Sequence, residues 1–256
     1  MIQLQALIFD VDGTLADTER DGHRVAFNRA FAEAGLNWHW EDSLYGELLA
    51  IAGGKERIRF YLNKYLPDFQ PPDDWDKFLA NLHAIKTKYY GQLLATGAIP
   101  LRPGVKRLLQ EARANNLRLA IATTSALPNV IALLKQHISP EWFEIIAAGD
   151  IVSAKKPAPD IYLYVLEKMG LTPDECLAFE DSHHGLQAAL AAGLKTIITV
   201  NSYTQNQDFT GASLVIDCLG EPGQPFRVLA GNSGAATYVN LELLQQLLLL
   251  QPTKTI

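Results

Sequence analysis

Apolar and polar positions along the chain follow two different patterns. From about Arg102 onward, short apolar runs bounded by polar residues alternate with stretches of helical periodicity. Leu117 to Ala122, Ile145 to Ala148, Leu177 to Phe179, Thr196 to Val200 and Leu214 to Ile216 read as strands. Between them the spacing predicts helices from Pro103-Gly104 to Asn115, Leu127 to His137, Ile161 to Met169 and Gly185 to Ala192. Strands alternating with helices imply right-handed crossovers and a parallel sheet covered on both faces. Residues 17 to 95 carry no strand signal. Helices are predicted there over Arg20 to Ala34, Glu41 to Ile51, around Ile58 to Leu66, and Trp75 to Leu94. Gly53-Gly54 and Pro67, Pro71 and Pro72 break them apart.

One more apolar run, Ala6 to Phe9, precedes the helical block and has no place in it. It must join the later sheet as a buried strand. The expected architecture is α/β: a doubly wound, Rossmann-like parallel sheet interrupted after its first strand by an all-helical cap. The core would take residues 1–16 and 96–220, the cap 17–95. Residues 221–256 form an extension ending in an amphipathic helix over Leu241 to Leu250. That run is interrupted by Glu242, Gln245 and Gln246 and is too short to span a bilayer.

Composition narrows the function classes. Of 256 residues, 48% are hydrophobic and 20% charged, ordinary for a soluble globular protein. A net charge of −6 argues against a general nucleic-acid binder, which needs a basic stripe to neutralise phosphates. A small anionic substrate remains open, since local Lys and Arg can oppose the overall field. Cys176 and Cys218 have no metal-like spacing and read as core thiols of a reducing, cytoplasmic compartment. No signal peptide is expected, because the first strand begins at once. No membrane or nucleic-acid partner is expected, and the chain is read as a monomer.

The candidate chemistry sits at the strand ends, where open parallel sheets bind ligands. The first strand breaks into Asp10-Val11-Asp12-Gly13-Thr14, two carboxylates at i, i+2 before a turn. Close carboxylates stay ionised only around a positive group, which suits a hard cation such as Mg2+. The alternative is a plain Asp/Gly turn. The second strand leads to Thr123-Thr124-Ser125 before a helix, either a phosphate cradle or an N-cap. Lys156, in Lys155-Lys156-Pro157-Ala158-Pro159, is either a fixed positive charge for a transferring phosphoryl group or a surface lysine. Glu180-Asp181 forms a second acidic pair on the same edge and can complete a Mg2+ shell with Asp10 and Asp12. Four converging carboxylates without a cation would repel one another, which favours the metal reading.

Taken together, Asp10-x-Asp12-Gly13-Thr14, Thr123, Lys156 and Glu180-Asp181 resemble the four ordered motifs of the haloacid-dehalogenase superfamily of phosphotransferases, over about residues 1 to 218. Asp17-Thr18-Glu19, Gly53-Gly54-Lys55-Glu56-Arg57, His83-x-x-Lys86 and Thr123 through Asn129 further resemble its CbbY branch. That branch is similar to β-phosphoglucomutase and contains sugar-phosphate phosphatases, with xylulose-1,5-bisphosphate as the best-known substrate. The tail after about Gly220 matches nothing in the resemblance.

The resemblance implies that Asp10 is the nucleophile and forms an aspartyl-phosphate, while Asp12 acts as general acid and then base. Mg2+ would be held by Asp10, the backbone carbonyl of Asp12, Asp181, and Glu180 directly or through water. Thr123 and Lys156 would bind the non-bridging phosphoryl oxygens. In the cap, His83 and Lys86 lie three apart on one helix face, and with Lys55 beside Gly53-Gly54 they would clamp a remote phosphate. Their alternative is solvated helix charge. Glu19 and His23 would contact the sugar or sense cap closure, and Thr124, Ser125 and Asn129 would add substrate contacts from the core. Two other readings stand beside a phosphatase. One is a sugar phosphomutase sharing every core residue; the other is a non-catalytic regulatory binding module on the same fold.

Overall fold

A strand buried on both faces reads as a continuous apolar run, and the first strand does so. In the computed structural model, which describes residues 3–51, 53–72 and 74–249, β1 (Ala6–Phe9) is completely buried and lies at the middle of a sheet. Its neighbours are β2 (Arg118–Thr123) and β4 (Cys176–Glu180), both parallel to it. Beyond β2 comes β3 (Ile145–Ala148), and beyond β4 come β5 (Lys195–Thr199), β6 (Leu214–Ile216) and β7 (Val228–Gly231). The order is β3-β2-β1-β4-β5-β6-β7, with β7 alone antiparallel to its neighbour.

The chain divides into two compact units. The first is Met1–Asp17 with Pro100–Ile256, and the second is Thr18–Ile99. The first unit carries the sheet and the helices α5 (Val105–Ala114), α6 (Leu127–His137), α7 (Asp160–Met169), α8 (His183–Ala191) and α9 (Leu241–Leu249). Ala6, Ile8, Ala120, Ala122 and Ala178 form one core layer with Ile161, Val165 and Leu166 of α7 and Ala188 and Ala189 of α8. The alternate residues Leu7, Phe9, Leu119, Ile121 and Phe179 are equally buried, so both faces are covered. Phe9 and Phe179 stack there with centroids 4.4 Å apart. Local chemistry sets the helix ends: Ser182 accepts from Gly185 N at 3.1 Å at the start of α8, and Gly170 at φ 64° closes α7.

The second unit is entirely helical among its described residues. It holds a six-residue π-helical stretch (Thr18–His23), α1 (Arg24–Glu33), α2 (Asp42–Leu48), α3 (Gly54–Tyr65) and α4 (Trp75–Ala95). Phe27, Phe31, Trp38, Trp40, Tyr45 and Tyr61 make its aromatic core, with ring centroids between 4.7 and 6.3 Å apart for neighbours such as Phe27–Trp40 and Phe27–Tyr45.

Three features differ from the sequence reading. The predicted helix from Arg20 begins as the π-helical turn, with Gly22 buried where a Cβ would lie 2.6 Å from Ile99 Cδ1. Residues 96–99 belong with the helices rather than the sheet, and the chain re-enters the first unit at Pro100. The segment after Gly220 holds, besides the expected helix, a strand that the sequence pattern does not predict. Its strand β7 extends the sheet, and α9 buries Leu243, Leu244, Leu247 and Leu248 in the first unit. Leu250 and residues 251–256 lie outside the described residues. Among those described, no helix is long and apolar enough to cross a membrane.

Arg102 ties the chain's return to the turn after β1. Buried to 8% exposure, it donates to the carbonyls of Gly13, Thr199, Val200 and Asp217, and its Nε lies 3.3 Å from Asp17 Oδ1. Arg102 N also donates to Leu15 O at 2.8 Å. Removing the guanidinium leaves several buried acceptors unpaired at once. Arg102→Met should therefore lower unfolding free energy by about 3 kcal/mol or more in urea titration; a loss below about 0.5 kcal/mol, the usual range for surface substitutions, would contradict this hub.

Candidate active site

The parallel register brings three strand ends side by side. Phe9 pairs with Ile121 and with Phe179, so the residues that follow on β1, β2 and β4 emerge together. They are Asp10, Thr123 and Glu180-Asp181, all buried. Lys156, from the loop before α7, completes the group. Its Nζ donates to Asp10 Oδ1 at 2.7 Å, Glu180 Oε1 at 2.6 Å and Ala122 O at 2.8 Å. An ammonium has three protons, and all three are used.

One carboxylate oxygen from each of Asp10, Glu180 and Asp181 lies within 4.8 Å of the other two. Burial pushes the Asp10 carboxyl up to about 7; the Lys156 charge opposes this, and Glu180 and Asp12 add to it. Burial likewise raises Asp181 well above the ordinary carboxylate range, helped by Asp10 and Glu180 and opposed by a hydrogen bond from Asn201. Burial works to lower Lys156, but the charges and hydrogen bonds of Asp10 and Glu180 outweigh it, so the net shift is upward and the lysine stays charged. Three carboxylates thus face one ammonium. The imbalance of two negative charges, on oxygen donors alone, fits a hard divalent cation. Asp10, Glu180 and Asp181 are the residues that could hold it.

Two glycines keep the cluster tight. A Cβ on Gly13 would collide with the Asp181 carboxylate, and Gly13 sits at φ 84°. A Cβ on Gly185 would collide with Glu180. Asp12 stands apart from the acidic trio. Its Oδ2 accepts a short hydrogen bond from Ser125 Oγ, and Ser125 N donates to Thr123 Oγ1 at 3.2 Å. Of the other core candidates, Thr124 is exposed, and Asn129 lies half-buried in the first turn of α6, its N–H donating to Ala126 O.

The second unit gathers its own charges. Lys86 of α4, 8% exposed, donates to His23 Nδ1 at 2.6 Å, which leaves the His23 ring proton on Nε2. His23 stacks on Tyr90, with ring centroids 3.8 Å apart, and the ammonium sits 4.9 Å over Phe27 and 5.2 Å over Tyr90. Burial pushes Lys86 down to about 8; Glu19 opposes and Arg57 reinforces the shift. Glu19 accepts from Tyr45 OH at 2.6 Å, which accepts in turn from Arg57 Nη1 at 2.9 Å. His83 is pushed down by burial and then by Lys86 and Lys55. It packs against the start of α3, where a Cβ on Gly54 would lie 2.7 Å from His83 Nε2. Lys55 is half-buried beside it and Gly53 is exposed at φ 92°.

Residue types alone did not single out Tyr162, Asn201, Tyr45 and Tyr90, which hold these groups. Asn201 Nδ2 donates to Asp181 Oδ2 at 2.7 Å, and its place just past β5 is a strand-end signal that could have marked it. The tyrosines fall at apolar helix positions and carry no such signal.

Comparison with known proteins fits this geometry. The haloacid dehalogenase-like hydrolase family model matches residues 4–193. Protein CbbY of Cupriavidus necator, plasmid-borne, is 48% identical over 225 residues, covering 87% of this chain and 88% of that one. The crystal structure of CbbY from Rhodobacter sphaeroides in complex with phosphate superposes with a TM-score of 0.69 at 44% identity, over 84% of this chain and 95% of that one. A mutant of the same protein, 43% identical over the same shares with the same TM-score, was crystallised with xylulose-(1,5)bisphosphate. A β-phosphoglucomutase-like structure from Thermotoga maritima gives 0.68 at 26% identity, over 83% of this chain and 94% of that one.

The buried acidic trio makes stability depend on pH and metal together. Asp10 and Asp181 hold protons to higher pH in the folded chain than in the unfolded one. Stability without metal therefore falls as pH rises from near 3.8 through about 7. A divalent cation binds the ionised set, so Mg2+ should raise the thermal midpoint near about pH 8 and barely at about pH 5. At a hundredfold excess over Kd the gain is about 2.7 kcal/mol. Asp181→Asn should be more stable than wild type in EDTA at the higher pH and lose the Mg2+ shift. Equal Mg2+ shifts in both proteins would rule the trio out as the cation site.

Proposed function

The chain belongs to the haloacid dehalogenase-like hydrolase family and is a phosphatase, and from that premise we propose that it hydrolyses a phosphorylated sugar, xylulose-1,5-bisphosphate, with Mg2+ as cofactor. The reading rests above all on one observation: the Lys156 ammonium held between Asp10 Oδ1 and Glu180 Oε1 at 2.7 and 2.6 Å, beside Asp181. A nucleophile and a fixed positive charge thereby share one water-poor strand end, where charge on a phosphoryl group is stabilised most strongly.

In the proposed reaction the Asp10 carboxylate attacks phosphorus. A bond forms from phosphorus to an Asp10 oxygen as the bond to the sugar oxygen breaks. Asp12 gives its proton to the departing sugar oxygen, and Ser125 Oγ beside it fixes the carboxyl's orientation. Asp12 then takes a proton from water, whose oxygen attacks phosphorus and frees Asp10 and inorganic phosphate. Lys156 and Thr123 bind the non-bridging oxygens through both steps. Bound at Asp10, Glu180, Asp181 and the Asp12 carbonyl, Mg2+ would offset negative charge on the phosphoryl oxygens.

The second unit supplies specificity in this reading. Lys86, Lys55 and His83 offer positive charge and ring N–H groups to the second phosphate of a bisphosphate, while Glu19 and His23 contact the sugar. Gly53, Gly54, Thr124 and Asn129 complete the proposed contacts. With Lys86 at about 8, its charge is available at neutral pH. In the same reading the chain is a monomer of the cytoplasm, with Cys176 and Cys218 as free thiols.

Phosphate release with Mg2+ across sugar mono- and bisphosphates, together with an aryl phosphate, tests this reading. Xylulose-1,5-bisphosphate should be preferred. Lys86→Ala should raise KM for it by about 10- to 100-fold, the loss of one charged hydrogen bond, and leave the aryl phosphate within about twofold. Equal losses on both would remove the second phosphate site. Isomerised β-glucose-1-phosphate without released phosphate would make the chain a mutase instead.

A further inference from the structure

Tyr162 is a fully buried tyrosine in the first turn of α7, at a position that ordinarily belongs to core packing. Its hydroxyl, however, faces the acidic cluster rather than an apolar wall. Oη donates to Glu180 Oε1 at 2.6 Å, the same oxygen that accepts from Lys156 at 2.6 Å. The Lys156 ammonium also lies 5.2 Å over the Tyr162 ring. Among the described residues, Glu180 Oε2 receives only a long contact from Asp181 N at 3.4 Å.

The two ends of the Glu180 carboxylate are thus divided. Oε1 is saturated by two donors. Oε2, with no strong donor, is the oxygen available for a cation. We propose that Tyr162 is a positioning residue for the metal site: its hydroxyl fixes the Glu180 carboxylate so that Oε1 anchors Lys156 and Oε2 is presented beside Asp10 and Asp181. Without that hydroxyl, Glu180 is held through Lys156 alone and is free to rotate. Rotation would misplace a metal ligand and draw Lys156 away from Asp10. Groups that orient metal ligands in this way typically contribute 10- to 100-fold in affinity when removed. A Cβ on Gly185 would collide with the Glu180 carboxylate, so the glycine leaves it room.

The inference rests on the proposal that Asp10, Glu180 and Asp181 hold a divalent cation, and the experiment separates the two. Mg2+ binding to the full chain is measured by isothermal titration calorimetry without substrate, for wild type, Tyr162→Phe, Glu180→Gln and the double variant. Tyr162→Phe should weaken Mg2+ binding about tenfold or more. With the carboxylate already replaced by Gln, adding Tyr162→Phe should change the affinity less than twofold. Wild-type affinity in folded Tyr162→Phe, or an equal further loss in the double variant, would overturn the positioning role and leave the cation site standing. No Mg2+ binding by wild type would overturn both. If Tyr162→Phe alone does not fold, the double variant against Glu180→Gln still decides: an undiminished tenfold loss there would show that the hydroxyl does not act through the carboxylate.

Discussion

A charge imbalance in a buried place governs the first unit. Three carboxylates and one ammonium meet at the ends of β1 and β4, where little water reaches them. Left alone, such a set shifts proton affinities until some carboxyls are neutral, which is the direction found for Asp10 and Asp181. Much of the surrounding structure serves this arrangement. Glycines at 13 and 185 allow the close approach, Arg102 pins the turn after β1, and Asn201 holds Asp181. A fold that keeps charges so close has stored an appetite for a cation and for an anionic group between charges of both signs.

The helical unit repeats the theme in a softer form. Lys86 lies among Phe27, Tyr90 and His23, poorly hydrated and with its proton affinity reduced. Its nearest opposing charge, Glu19, is itself bound by Tyr45, which is held by Arg57. A desolvated cation supported by aromatic faces gains more from an incoming phosphate than a surface lysine would. For this reason we propose that the helical unit, though it lacks the acidic trio, carries the specificity.

Most of the fold was legible because strands and helices in this chain differ plainly in period. Ala6–Phe9 is apolar at four positions in a row, as a strand covered on both faces is, and the structure has it between β2 and β4. The polar residues that end those runs were legible for the same reason, since a strand end is where the pattern breaks. What escaped the reading has physical causes too. Strand β7, Val-Leu-Ala-Gly, is four exposed residues at a sheet edge, too short and too weakly patterned to signal itself. The π-helical turn at Thr18–His23 has no periodic signature. Tyr162 and Tyr90 sit at apolar positions of helices, where packing alone accounts for an aromatic side chain. Only coordinates reveal that Tyr162's hydroxyl points at a carboxylate, and that the Tyr90 ring lies against His23. Asp12 is a subtler case: spacing sets it beside Asp10, yet its side chain turns to Ser125 and leaves the acidic trio to Asp10, Glu180 and Asp181.

The central claim is that Asp10 carries the phosphoryl group, and the most direct measurement is rapid acid quench during turnover of a sugar bisphosphate, followed by peptide mass analysis. The account predicts one phosphoryl group on the peptide containing Asp10, removed by hydroxylamine as an acyl phosphate is, and absent in Asp10→Asn. Turnover at the normal rate with no label on that peptide, or with the label on another residue, would contradict it.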